Sequence, residues 1–326
     1  MPEKGLWLQN IIAIIWDFDK TLSPEYMQGP LFRAYNVDAE RFWGEVHALP
    51  GYYRRAGIHV QADTCYLGHL LTYVNSGRMP GLTNAKLRAF GGELELYPGV
   101  LELFESLEQV LETPPFRAGD LHLEHYVVST GLAEMVRGSK VASRLSGVWA
   151  SEFIEEPAQP GFDADGCPQE GPISQIASFL DNTTKTRAIF EINKGANKLP
   201  ELTVNDTMPE EERRVPIDQM IYVADGPSDI PSFSVVRKHG GLAFAVYDPQ
   251  SSQHFAQADK LRQDNRVDSF GPADYRHGTH TSMWLTLQVQ NIAERMMRKR
   301  KEALGRRVAP GPVHIEDNAE TRGAKE

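Results

Sequence analysis

The sequence predicts an α/β fold built on a parallel sheet, and three observations predict it. Short apolar runs alternate with segments of helical spacing, the pattern of strands joined by crossover helices. Two of those runs, Ile11 to Trp16 and Met220 to Ala224, end directly in acids. A long aromatic-rich stretch of helix-compatible spacing separates the first run from the next core element.

The first run, Ile11-Ile12-Ala13-Ile14-Ile15-Trp16, is apolar throughout. That is the signature of a strand buried on both faces. Asp17 and Asp19 follow it. Residues i and i+2 of an extended chain point to the same side. Both acids therefore face the carboxyl edge of the sheet, where open α/β sheets bind ligands. Like charges this close repel unless a cation or a shared proton compensates. The pair points to a hard cation such as magnesium with oxygen ligands, or to a split acid/nucleophile pair. Taken alone, a D-x-D also fits a strand that ends in a solvated acidic turn.

Residues 24–96 read as a helical module, with breaks at Pro50-Gly51, Gly77 and Met79-Pro80-Gly81. Tyr97-Pro98-Gly99-Val100 opens a helix whose apolar positions are Val100, Leu101, Phe104, Leu107 and Leu111, and Pro114-Pro115 ends it. Tyr126-Val127-Val128 is a second buried strand, followed by Ser129-Thr130-Gly131 and a helix expected over 132–145. Val148 to Ile154 is a third strand. Residues 155–172, with their Pro, Gly and Asp, form a loop or hairpin. A helix covers Lys185 to Ile192, and residues 195–215 read as an exposed polar loop. Met220 to Ala224 is the next strand, ending in Asp225-Gly226-Pro227-Ser228-Asp229. A helix and the strand Leu242 to Val246 follow. The core is expected over 1–23 and 97–280, the module over 24–96, a C-terminal helix over 281–307 and a disordered tail over 308–326. The basic run Arg298-Lys299-Arg300-Lys301 reads as a solvated helix end that suits the helix dipole, with an anionic partner as the alternative.

Size suits one large α/β domain plus an inserted smaller one, and composition is ordinary for a soluble globular protein. The 326 residues are 41% hydrophobic and 24% charged. A net charge of -10 argues against general affinity for nucleic acid. Cys65 and Cys167 supply neither a disulfide framework nor metal-ligand spacing, which suits a reducing, cytoplasmic setting. No stretch approaches the ~18 apolar residues of a membrane span, and the N-terminal apolar run makes a poor signal peptide.

Four motifs in order give the chain a resemblance to the haloacid-dehalogenase superfamily of phosphohydrolases over about residues 11–247. Asp17-Phe18-Asp19-Lys20-Thr21-Leu22 is similar to its D-x-D-x-T. Val127-Val128-Ser129-Thr130-Gly131 is similar to its apolar strand ending in Ser or Thr. Lys185, with rivals in Lys194 and Lys198, matches its Lys at a helix start. Val223-Ala224-Asp225-Gly226-Pro227-Ser228-Asp229 is similar to its G-D-G-x-x-D, with Ala224 in place of Gly and Pro227-Ser228 in place of a small residue and Asn. The helical module after the first motif resembles that of the phosphoserine-phosphatase-like branch. The resemblance implies a Rossmann-like parallel-sheet core with an inserted helical cap.

It also implies roles. Asp17 attacks phosphorus and forms an aspartyl-phosphate. Asp19 protonates the leaving group and then activates water. Ser129, with Thr130 and Gly131, binds a phosphoryl oxygen. Lys185 neutralises charge. Magnesium is held by Asp17, the Asp19 backbone carbonyl and Asp225, with Asp229 in support. The implied function is hydrolysis of a small phosphorylated metabolite. A phosphomutase or phosphotransferase, a halide-displacing enzyme, and a non-catalytic phosphate-binding regulatory module are the alternatives. Intact Asp19 and Asp225 favour phosphate over halide. Arg33, Arg54, Arg55 and His59 of the module are candidates for a second anion on the substrate.

Overall fold

The computed structural model describes residues 8–307, so the expected disordered tail, 308–326, lies outside the described residues. Strand β1 (Ile11–Trp16) is followed by four helices: α1 (Gln28–Ala34), α2 (Ala39–Arg54), α3 (Cys65–Asn75) and α4 (Asn84–Gly91). The core resumes with α5 (Val100–Leu111), β2 (His122–Leu132), α6 (Ala133–Gly138), β3 (Leu145–Ile154), β4 (Gln175–Ser178) and α7 (Lys185–Lys194). Next come β5 (Met220–Ala224), α8 (Ile230–Lys238), β6 (Leu242–Tyr247), α9 (Ser252–Gln263), β7 (Ser269–Pro272) and α10 (His280–Arg307). The seven strands form one sheet in the order β4-β3-β2-β1-β5-β6-β7. Every pairing is parallel except that of β3 with β4. This is the expected α/β core with a helical insert after its first strand.

Burial of β1 on both faces follows its apolar run. Ile12, Ile14 and Trp16 enter one hydrophobic core with Phe104 of α5, Val289 of α10 and Leu31, Phe42 and Leu70 of the insert. Ile11, Ala13 and Ile15 enter the other, with Ile189 of α7, Phe233 of α8 and Leu261 of α9. The period of two sends alternate side chains to opposite faces. A titratable side chain also lies in the first layer. His125 of β2 stacks on Phe104 with ring centroids 4.0 Å apart. Its Nδ1 accepts a hydrogen bond from Trp16 Nε1 at 3.1 Å. Indole only donates, so the His125 proton sits on Nε2, which is buried without a partner.

The insert leaves and rejoins the core at adjacent points, since Tyr97 N donates to Leu22 O at 2.8 Å. Gly99, at φ 83°, caps α5 where an added Cβ would lie 2.3 Å from Arg276 N. Helices α4 and α6 touch backbone to backbone. A Cβ on Gly91 would lie 2.1 Å from Met135 O, and one on Gly138 would lie 1.8 Å from Arg88 O.

Several local expectations are corrected. Pro50-Gly51 does not break the module, because α2 runs through Pro50. Proline removes the N–H that would bond the carbonyl four residues back, and the Cys65 thiol faces that carbonyl, Val46 O, at 3.8 Å. The helix expected over 132–145 is short, ending at Gly138 where α4 presses on it, and only a 3₁₀ turn follows at Ala142–Arg144. Strand β2 continues through Ser129-Thr130-Gly131 to Leu132, and β3 starts at Leu145. The 195–215 segment is not wholly exposed: Arg214 and Val215 are buried, and Arg214 Nη1 donates to Glu124 Oε2 at 2.8 Å. The basic run of α10 is partly engaged within the chain, with Lys299 Nζ 2.6 Å from Asp218 Oδ2 and Arg300 bonded to Gly119 O. Among the described residues no helix is long and apolar enough to cross a membrane.

Candidate active site

Register places the candidate residues at one sheet edge. Trp16 lies opposite Val127 of β2 and Val223 of β5, and Asp17 N donates to Val223 O at 2.9 Å. The two acidic strand ends and the Ser129 segment therefore emerge side by side from the carboxyl edge. Helix α7 carries Lys185 beneath them.

Lys185 is the hub. Its side chain is buried, and Nζ donates to Asp17 Oδ1 at 3.0 Å and to Asp229 Oδ1 at 2.7 Å. Asp229 is fully buried and also accepts from Tyr222 Oη at 2.8 Å and Ser228 Oγ at 2.7 Å. Carboxylate oxygens of Asp17, Asp225 and Asp229 all lie within 4.8 Å of one another. The rival lysines point elsewhere: Lys194 Nζ donates to Val204 O and Asp206 O, and Lys198 Nζ to Ser146 O.

The charges do not balance within the protein. Burial opposes the Lys185 charge, yet the Asp17 and Asp229 carboxylates outweigh it and hold the ammonium well above its ordinary value. Burial pushes Asp17 up to about 6 even against the pull of Lys185. Burial, then the Asp17 and Asp229 charges, push Asp225 up to about 8. Oxygen donors so close, with more negative charge than one lysine offsets, suit a hard divalent cation. Asp17 and Asp225 fit that role best, because both oxygens of Asp229 are already held by Lys185, Tyr222 and Ser228.

Asp19 stands apart from that carboxylate cluster. Its Oδ1 accepts from the backbone N–H of Met27, just ahead of α1, at 3.0 Å. Burial, then the Asp17 charge, raise its carboxyl well above the usual range. That direction favours the protonated form, which a proton donor requires.

Ser129 is buried, and its Oγ accepts from Gly131 N at 3.1 Å. Thr130 presents its carbonyl to the insert, accepting from Tyr66 Oη at 2.7 Å. Gly131 lies under Met27, whose Sδ and Cε would be 2.5 and 2.3 Å from an added Cβ. The Ser129-Thr130-Gly131 segment is thus held by Met27, just ahead of α1, and by Tyr66 of α3.

The insert's suggested anion contacts are not drawn to the acids. Arg33 faces Glu25 at 3.8 Å with both side chains exposed. Arg55 lies over Tyr52, 5.5 Å from its centroid, and Arg54 is exposed. His59 lines a cavity of about 630 Å³, with Leu49, Tyr53, His69 and Phe179, that none of the acids borders. Tyr222 carries no functional signal in the sequence. In Met220-Ile221-Tyr222-Val223-Ala224 an aromatic reads as one more core residue, and only the fold shows its hydroxyl on Asp229.

No protein-family model matches the chain. A Borreliella burgdorferi protein, described as an uncharacterized protein, is 36% identical over 283 residues, covering 85% of this chain and 96% of its own length. Among solved structures, a HAD family hydrolase from Salmonella enterica serovar Typhi is 14% identical, with a TM-score of 0.47 over 82% of this chain and 68% of its own. A phosphoserine phosphatase held as a phospho-aspartyl intermediate analogue is 17% identical, with a TM-score of 0.45 over 80% of this chain and 93% of its own. A probable phosphoserine phosphatase from Vibrio cholerae is 14% identical, with a TM-score of 0.46 over 90% of this chain and 69% of its own. Likeness at that level settles no chemistry, which rests on the residues themselves.

Proposed function

We propose that this chain, which belongs to one family with the Borreliella burgdorferi protein, is a phosphohydrolase of the haloacid-dehalogenase superfamily that cleaves a small phosphomonoester. The observation that carries the reading is the buried Lys185 bridging Asp17 and Asp229, with Asp225 alongside, at the carboxyl edge of the sheet.

In this reading Lys185 fixes one oxygen of Asp17 and offsets negative charge as an anionic phosphoryl group approaches. Asp17 attacks phosphorus, the P–O bond to the leaving group breaks, and an aspartyl-phosphate forms. Asp19, aimed by the Met27 N–H, gives its proton to the departing oxygen. It then takes a proton from the water that hydrolyses the acyl phosphate, so free phosphate leaves and Asp17 is regenerated. Tyr222 and Ser228 hold Asp229, and Asp229 holds Lys185. Magnesium, bound by Asp17 and Asp225 with the Asp19 carbonyl, would neutralise phosphoryl charge. The insert acts as a cap over this site.

The test is phosphate release from phosphomonoesters by the purified chain. Release is expected with magnesium and not in chelator, with Asp17 recovered phosphorylated after acid quench. Turnover undiminished in chelator, or by Asp17→Asn, would overturn the reading.

A further inference from the structure

Three aromatic side chains of the insert pack in succession, Tyr66 against Trp43 and Trp43 against Tyr26, starting from the segment that follows Ser129. Tyr66 of α3 is 5% exposed and donates through Oη to Thr130 O at 2.7 Å. Trp43 of α2, half-buried, has its ring centroid 5.7 Å from Tyr66. Tyr26, 55% exposed, lies 5.9 Å beyond Trp43. Exposure thus rises steadily from the site outward. Both ends of the row lie in the field of the acids. Burial first, then Asp225, Asp19 and Asp17, raise the Tyr26 phenol, while burial and then Asp19 raise that of Tyr66. Lys20, inside the first motif, turns back at φ 61°, donates to Pro24 O at 2.6 Å and sits 5.2 Å from the Tyr26 centroid.

The row is chemically one-sided. Its rings offer π-faces and edges, and the arginines once suggested for a second anion lie with Glu25, with Tyr52 or in solvent. Lys20 already lies over the Tyr26 ring and donates to a backbone carbonyl. A leaving group with its own carboxylate or second phosphate would meet the acids without a free partner. An uncharged planar ring would meet tilted aromatic neighbours at stacking and edge-to-face distances.

We propose that the Tyr66–Trp43–Tyr26 row is the leaving-group subsite, and that the substrate is a phosphomonoester whose alcohol bears an uncharged ring. The proposal rests on the phosphatase reading and names the substrate class of that same site. Tyr26 and Trp43 are then specificity-determining residues.

The experiment compares kcat/KM, with magnesium, for benzyl phosphate, n-propyl phosphate and O-phosphoserine. Benzyl and propyl alkoxides both leave poorly, so their ratio reports recognition instead of leaving-group chemistry. A benzyl-to-propyl ratio of about tenfold or more is expected, the scale of one or two aromatic contacts, with phosphoserine below both. In Tyr26→Ala and Trp43→Leu the ratio should fall to within about threefold of unity, scaled by the same principle. Trp43→Phe should restore most of it. A variant damaged only in folding lowers every rate and leaves the ratio standing, which would overturn the assignment. So would a wild-type ratio near unity or a preference for phosphoserine, each leaving the phosphatase reading intact. No turnover of any ester would remove that reading and this one with it.

Discussion

At the residue scale, Asp19 and Lys185 carry the argument. Asp19 accepts one backbone N–H, and burial raises its carboxyl above the ordinary range, so Asp19→Asn preserves shape but cannot transfer a proton. The loss should depend on the leaving group. Alkyl esters need protonation of the departing oxygen, and phosphorylation of Asp17 should slow by ~10²–10⁴-fold. A nitrophenolate leaves without that help, so p-nitrophenyl phosphate should give a burst of nitrophenol and then slow turnover. Rapid-quench assays of both esters check this, and equal losses without a burst would make Asp19 a structural residue. The carboxylates were legible in the sequence because two apolar runs end in acids and the other motifs follow in order, where a lone D-x-D would also fit a solvated turn. Lys185 was separable from Lys194 and Lys198 only by its place at a helix start. Tyr222 and the aromatic row were not legible, since a buried aromatic and a ligand-facing one share the same sequence pattern.

At the scale of elements, β1, β2 and α5 meet at His125. Burial lowers its imidazole to about 3, whereas the unfolded chain titrates near the ordinary 6.5. The folded state therefore binds fewer protons between those values, and stability falls as pH drops below about 6.5, by up to ~1.4 kcal/mol per pH unit. In His125→Asn the amide oxygen can replace Nδ1 as acceptor for Trp16, and the acid limb of the stability curve should flatten. Denaturant titrations at pH 5 and pH 7 would measure it, and an unchanged slope would assign the acid sensitivity to other groups. The contact of α1 with β2 offers a second prediction. Gly131→Ala drives a Cβ into Met27 and should destabilise by about 1–3 kcal/mol, the usual scale of overpacking. Combined with Met27→Ala, the two losses should fall short of their sum by about 1 kcal/mol or more; simple additivity in a double-mutant cycle would deny the contact. Strands β1 and β5 were readable from unbroken apolar runs. Strand β7 was not, because four residues that include Gly271 and Pro272 carry no period. Helix α2 outran its expected break although Gly51 to Arg54 beyond the proline are exposed; the carbonyl that Pro50 leaves without its N–H, Val46 O, is faced instead by the Cys65 thiol.

At the scale of the whole molecule, insert and sheet share one hydrophobic core, so no boundary of weak packing separates them. Unfolding should be a single transition by near-UV and far-UV signals alike. Gly138→Ala should lower its midpoint strongly, by about 2 kcal/mol or more, since the new Cβ would lie 1.8 Å from a backbone oxygen that cannot rotate away. Two resolved transitions, or a neutral Gly138→Ala, would contradict this.

The seam between Gly91 and Gly138 also bears on how such proteins are inherited and rebuilt. An insert fastened to its base at this seam as well as through the shared core cannot swing as a free flap. The two glycines also form a lock that neither half carries alone. Recombination that brought in a foreign segment 24–96 without its own α6 would set a strange helix against Gly138. The unit that can be exchanged between relatives is therefore larger than the segment that looks detachable: it must include the helix on which the segment rests.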